Sequence, residues 1–242
     1  MFNPSPLAGA TAIITGASGG IGSTVAKALG VAGASLALTG KTNAKLQRRR
    51  EELVGLGLEE SKLFTLAADL STAKACEGVV NAAAERFGRV DILVNAAGVG
   101  VLKRFNELEL ADIDDVVSSN LLSTLYMCHH VVPKLMSEGG HIINIGSGLG
   151  KRGAARSAAY SAAKFGVQGF SEALRIDLAR YNIRVSCVSP AGAGVDTEFW
   201  DRADPLVKRK GMLAPERVAE VVLVLLKTRG TALIDDLTLR TR

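Results

Sequence analysis

Tyr160 and Lys164 are separated by one helical turn, in Tyr160-Ser161-Ala162-Ala163-Lys164 within an alanine-rich stretch. An i, i+4 pair lies on one helical face, so both side chains point the same way. A free phenol titrates near ~10, and an ammonium held beside it favours the phenolate and lowers that value. Such a phenol gives a proton to a carbonyl oxygen, or takes one from an alcohol, near neutral pH. Ser147 ends an apolar run thirteen residues earlier, where its hydroxyl can hold a substrate oxygen beside the phenol. A Ser–His–Asp hydrolase is the rival reading of Ser147. It fails on the local sequence, Ile145-Gly146-Ser147-Gly148, which is not a G-x-S-x-G elbow. His129, His130 and His141 are the only histidines. Adjacent helical residues face different directions, so His129 and His130 make a poor metal pair, and no metal is expected.

A second group of residues points to a dinucleotide. The first apolar run ends in Thr15-Gly16-Ala17-Ser18-Gly19-Gly20-Ile21-Gly22, directly before the first helical segment. Glycines there let the backbone approach a pyrophosphate, and the helix that follows turns its free amides toward it. The second apolar run ends in Leu38-Thr39-Gly40-Lys41-Thr42-Asn43. A carboxylate at this point would accept hydrogen bonds from a ribose 2′-hydroxyl and repel a 2′-phosphate. None is present, and Lys41 can pair with a phosphate instead.

The spacing Gly16, Gly20, Gly22 after Thr15 is T-G-x-x-x-G-x-G, and the chain from there on resembles the short-chain dehydrogenase/reductase family. The resemblance implies an NADP(H)-dependent oxidoreductase that moves a hydride between a nicotinamide and a carbonyl or secondary alcohol carbon of a small substrate. It assigns catalysis to Asn120, Ser147, Tyr160 and Lys164, with Asn120 placing a water that links the lysine to solvent. For the cofactor it implies Gly16, Ser18, Gly20, Ile21 and Gly22 at the pyrophosphate and Lys41 at the 2′-phosphate. Asp69 and Leu70 fall at the adenine, and Asn95 and Gly98 in the stretch that matches N-N-A-G. Tyr160 and Lys164 meet the nicotinamide ribose, Val195 the carboxamide and Thr197 the phosphates.

There are departures from the family pattern. Gly19 stands where many NADP-dependent members are basic, and Ala96 replaces the second asparagine of N-N-A-G. The stretch Pro190-Ala191-Gly192-Ala193-Gly194-Val195-Asp196-Thr197 is about two residues longer than usual. The end of the chain lacks the V-D-G-G frequent among acyl-carrier-protein reductases of the family. That ending is more like members acting on small polar alcohols and carbonyls, but a +5 surface could attract an acidic acyl carrier, so a 3-oxoacyl thioester reductase stands as one alternative. The altered 190–197 stretch leaves a non-catalytic NADP-binding regulatory protein as another. A homotetramer or homodimer is implied by resemblance alone.

The elements that must position these residues are legible as alternation. Short apolar runs at 10–14, 35–39, 63–67, 92–94, 141–145, 183–188 and 232–239 read as strands covered on both faces. Helical periodicity fills 21–31, 45–53, 73–87, 113–136, 158–180 and 215–226. Asp69-Leu70-Ser71 offers a cap for the third helix. This pattern predicts a doubly wound, Rossmann-like parallel sheet of about seven strands, as one domain over 1–242 with a substrate lid at about 193–213. In such a sheet, ligands bind at the carboxyl ends of the strands, where the motifs fall.

Bulk properties restrict the remaining classes. With 48% apolar and 22% charged residues, 242 residues can build a core without metal or disulfide staples. Cys76, Cys128 and Cys187 are scattered and odd in number, as expected of inert thiols in a reducing compartment. The net charge is +5, with a basic run at Lys45–Arg50. Glu51, Glu52, Glu59 and Glu60 follow it without interleaved aromatics, so a solvated helix face is expected and nucleic acid is not. Val218–Leu226 is far shorter than a membrane span, and Met1–Pro6 does not read as a signal peptide, so a cytoplasmic protein is expected.

Overall fold

The computed structural model describes residues 6–228 and 232–241. Seven parallel strands form one sheet in the order β3-β2-β1-β4-β5-β6-β7. They are β1 (Thr11–Thr15), β2 (Ser35–Gly40), β3 (Leu63–Ala67), β4 (Ile92–Asn95), β5 (Gly140–Ile145), β6 (Ile183–Ala191) and β7 (Asp236–Arg240). The helices are α1 (Gly20–Val31), α2 (Asn43–Gly55), α3 (Ala73–Phe87), α4 (Leu110–Val117), α5 (Ser123–Leu135), α6 (Ala158–Leu178), α7 (Phe199–Ala203) and α8 (Pro215–Lys227).

The sheet is covered on both faces, and its central strands are buried along nearly their whole length, mostly through apolar side chains. All five residues of β1 are buried. Ile14 enters a core with α1 and α8, and its neighbour Ile13 enters the opposite core with α3 and α5. Each fully buried isoleucine contributes roughly 1.5–3 kcal/mol relative to exposure. Strand order reverses at β1, which has β2 on one side and β4 on the other. Thr15 Oγ1 closes this switch point by accepting the Ala96 and Ala97 amides at 3.1 and 3.0 Å. The crevice beyond it is the natural ligand site of a doubly wound sheet.

Three expectations are corrected in detail. The single helix expected over 113–136 is α4 and α5 joined by a π-helical turn, Ser118–Leu122. The side chain of Asn120 donates to Val116 O, and Ser123 and Thr124 donate to the carbonyls of Ser119 and Asn120. Side chains thus occupy carbonyls along the widened ladder, and such turns recur at functional sites. The cap of α3 is Thr72, whose Oγ1 accepts the Ala75 amide at 3.3 Å. Asp69 accepts instead from Ser71 N in a turn before the helix. The last strand begins at Asp236, with 232–235 irregular. Of that final apolar stretch, only the residues from Asp236 onward pair with β6. Among the described residues, no helix is long and apolar enough to cross a membrane, and no cluster of His, Cys, Asp or Glu is able to hold a metal.

Candidate active site

A cavity of about 1010 Å³ runs along the carboxyl ends of the strands. Its floor at the switch point is the turn between β1 and α1. Gly16 has φ +63°, and a Cβ there would sit 2.7 Å from Ala96 O. A Cβ on Gly22 would strike the Gly16 carbonyl, and one on Gly20 the Thr197 side chain. The turn is thus folded against itself, the β4 loop and the 190–197 segment, which only hydrogen at these Cα atoms permits. It delivers α1 with no side-chain cap and no acidic residue in its first turn. The free amides and positive dipole end therefore face the cavity, a ready anion site. Ser18, Gly20, Ile21 and Gly22 line it. A pyrophosphate fits this cradle.

At the β2 end, Lys41 Nζ lies 3.2 Å from Asp69 Oδ1 and 4.0 Å from Asp115. Burial raises the Asp69 carboxyl, but the Ser71 amide and Lys41 together hold it below its ordinary value. The pair is half exposed. Exposed pairs contribute little, so a phosphate can take Lys41 from Asp69 at small cost. Lys45 lines the same end and pairs with Glu198 at 2.8 Å. Leu70 is buried beneath them and lines the cavity.

The proton-handling residues gather at the ends of β4 and β5. Tyr160 and Lys164 project from α6 into the cavity, with Lys164 Nζ 5.8 Å from the Tyr160 ring centre. One ammonium N–H donates to Ile145 O at 2.9 Å. Ser147 follows β5 and lines the same space. The expected acidification of the phenol by Lys164 is not built in. Burial pushes the Tyr160 phenol up to about 12, opposed by a hydrogen bond with Ser147. Burial also pushes Lys164 down to about 8. The ammonium is anchored to a carbonyl and stands off the ring, so desolvation dominates both groups.

Asn120 sits in the π turn, 1% exposed, with its amide donating to Val99 O and Val116 O at 2.7 and 2.8 Å. Among the described residues, its buried Oδ1 has no hydrogen-bond partner. Gly98 separates that oxygen from Lys164: a Cβ on Gly98 would collide with Asn120 Oδ1 and come within 3.8 Å of Lys164 Nζ. An open acceptor thus lies next to the ammonium, as a proton path requires.

The long segment after β6 is a glycine turn built around a tryptophan. Gly192 and Gly194 have φ +79° and +92°. A Cβ on Gly194 would meet the Trp200 ring at 2.5 Å, and Trp200 Nε1 donates to Val195 O at 2.9 Å. Phe199, the first residue of α7, lies against Gly100 and 5.5 Å from the Tyr160 ring. Ion pairs dock this segment: Lys45–Glu198 at 2.8 Å, Asp115–Arg202 at 2.6 Å and Arg156–Asp204 at 3.2 Å. Arg156 adopts φ +66°, a strained conformation for a side-chain-bearing residue, while its guanidinium also reaches Leu102 O.

The sequence profile of the short chain dehydrogenases matches residues 10–205. The chain belongs to the short-chain dehydrogenase/reductase family. Like its relatives in that family, it is an oxidoreductase. A metagenomic short-chain oxidoreductase in complex with NADP superposes with a TM-score of 0.85 at 30% identity, covering 98% of this chain and 99% of that one. An uncharacterised oxidoreductase of Staphylococcus haemolyticus is 30% identical over 97% of this chain and 98% of its own length. Glycine betaine reductase of Emericella nidulans is 33% identical over 92% of this chain, which spans only 18% of that longer protein.

Against the family pattern, the residues named from sequence fall into two groups. Gly16, Lys41, Asp69, Gly98, Asn120, Ser147, Tyr160, Lys164, Val195 and Thr197 all line the one cavity. Asn95 does not. It is buried in the sheet, where its amide donates to Asn144 Oδ1 at 2.9 Å and Asn144 donates onward to Ser171. It braces β4 against β5 and leaves the ligand-facing surface to the Ala96 and Ala97 backbone. Lys45, expected on a solvated helix face, lines the cavity instead, and the roles of Asp115 and Arg156 were not legible, because ion pairs between distant segments leave no local spacing to find.

Proposed function

We propose that the protein is an NADP(H)-dependent reductase of carbonyl compounds, working reversibly on secondary alcohols, with Tyr160 as acid and base. The observation that carries this reading is a buried phenol, held protonated by its surroundings, sharing one cavity with Ser147, Lys164 and a glycine cradle. When bound, the cofactor supplies the hydride.

The chain's own residues do the rest. Gly16, Ser18, Gly20, Ile21 and Gly22 hold the pyrophosphate, and Thr197 backs Gly20. Lys41, released from Asp69, takes the 2′-phosphate, with Lys45 beside it. Asp69 and Leu70 flank the adenine, Gly98 lets the chain pass close to the ribose, and the Val195 backbone faces the carboxamide. Ser147 Oγ donates to the substrate oxygen and fixes it against Tyr160. Tyr160 Oη then gives that oxygen its proton in reduction and takes one back in oxidation. Lys164 stabilises the phenolate left behind, and Asn120 Oδ1 receives a proton donor in the path that recharges it. Phe199 covers the phenol and excludes water.

The test is a panel of aldehydes and ketones followed at the nicotinamide absorbance with NADPH and with NADH. The reading expects turnover with NADPH preferred. Lys41→Ala lowers the NADPH/NADH ratio of kcat/KM about tenfold, the size of one lost charge-assisted hydrogen bond. Cofactor binding with no carbonyl reduced would refute it and favour a regulatory protein.

A further inference from the structure

Resting on the reductase reading above, the charge along the cavity specifies a substrate class. The cavity is lined by two carboxylates, Asp69 and Glu198, both near its β2 end and each paired with a lysine. The other end lies at β7, five strands away in the sheet order, or about 24 Å at ~4.8 Å per strand. Three cations line that end: Lys151, Arg152 and Arg240. Lys151 is neutralised by Asp236 at 2.6 Å and also donates to Thr238. Arg152 and Arg240 are exposed, and among the described residues neither guanidinium has an ion pair or a hydrogen bond.

Both sit on elements that adjoin Ser147. Arg152 follows the short turn Gly148–Gly150 that leaves Ser147, and its amide donates to Gly148 O. Arg240 pairs in register with Ala191, the residue against which a Gly148 Cβ would collide at 2.6 Å. Asp236, Thr238 and Arg240 alternate onto one face of β7, and the first two hold Lys151. Two unneutralised guanidiniums therefore flank the pocket beyond Ser147, two strands from β5. That distance is about 10 Å, which an arginine side chain partly spans.

We infer that Arg152 and Arg240 form a carboxylate-binding subsite, and that the substrate is a short oxo acid whose carboxylate lies a few carbons from the carbonyl held by Ser147. Guanidinium groups suit this ligand because their paired N–H donors match the two oxygens of a carboxylate.

The probes are 4-oxopentanoate and its methyl ester, titrated calorimetrically into the protein loaded with NADP+, where no turnover intervenes. The wild type binds the acid at least about tenfold more tightly than the ester. Arg152→Gln and Arg240→Gln each bring the ratio toward one, and Lys134→Gln, which removes a charge on α5 away from the cavity, leaves it unchanged. Equal binding of acid and ester by the wild type, or a ratio preserved in both arginine variants, overturns the subsite. Reduction with NADPH is measured in parallel. Acid-selective binding without reduction of either compound would sink the reductase reading and leave the subsite standing, and reduction without selectivity would do the reverse.

Discussion

At the scale of single residues, the site is governed by desolvation more than by the Tyr160–Lys164 contact that its spacing suggests. The phenol, pushed up to about 12, holds its proton at neutral pH and is set to donate it. The ammonium, pushed down to about 8, is charged at neutral pH and loses that charge just above it. Donation by Tyr160 leaves a phenolate that needs this cation. The reductive kcat/KM is therefore expected to be flat below about pH 8 and to fall as pH rises through it. A profile that rises through the same range would reverse the assigned roles. The spacing of Tyr160 and Lys164 made their common direction legible in sequence. The balance of burial against charge was not, because it depends on Ile145 O anchoring the ammonium and on Phe199 covering the ring.

At the scale of elements, the strand ends and helix starts do the positioning. Alternating apolar runs fixed the strands to within a few residues, since a strand buried on both faces leaves a continuous apolar signature. What escaped was the break between α4 and α5. The helical periodicity runs through Asn120, Ser123 and Thr124 without interruption, and the widening of the backbone ladder at Ser118–Leu122 leaves no mark on it. Asn95 was misplaced for a related reason. Motif position cannot tell which side of a strand end a side chain takes, and here Asn144 and Ser171 draw it inward. Gly98 joins the two findings, since it keeps the β4 loop clear of Asn120 and Lys164. Gly98→Ala forces a methyl group into the Asn120 carbonyl. Overpacking of this kind costs about 1–3 kcal/mol. We expect kcat to fall more than tenfold while the far-ultraviolet dichroism stays native. Wild-type turnover in this variant would show that the Asn120–Lys164 geometry is not required.

For the whole molecule, two cores on opposite faces of the sheet leave one continuous cavity along its carboxyl edge. The basic run at Lys45–Arg50 illustrates how far composition goes. Arg49 pairs with Glu52 on the solvated face of α2 and Arg50 reaches Glu60 beyond the helix, as the sequence suggested, but Lys45 lines the cavity and pairs with Glu198. Cofactor binding at this edge would engage both the sheet ends and the segment after β6 that lines the cavity. NADPH at a hundredfold excess over its Kd then adds roughly 2.7 kcal/mol to stability. That corresponds to a rise in Tm of about 5–10 °C for a chain of this size. Thermal unfolding with and without NADPH measures it, and NADH at the same concentration is expected to give a smaller rise. Equal rises would show that Lys41 and Lys45 do not read the 2′-phosphate.

The proton donor is the part of this account on which the others depend, and Tyr160→Phe isolates it by removing one oxygen from a packed ring. With the carbonyl that the wild type reduces best, kcat for the variant should fall by about 10³-fold or more, within the range of general acid catalysis, while its Kd for NADPH stays within a few-fold. Turnover within tenfold of the wild type, with NADPH binding intact, would contradict Tyr160 as the acid.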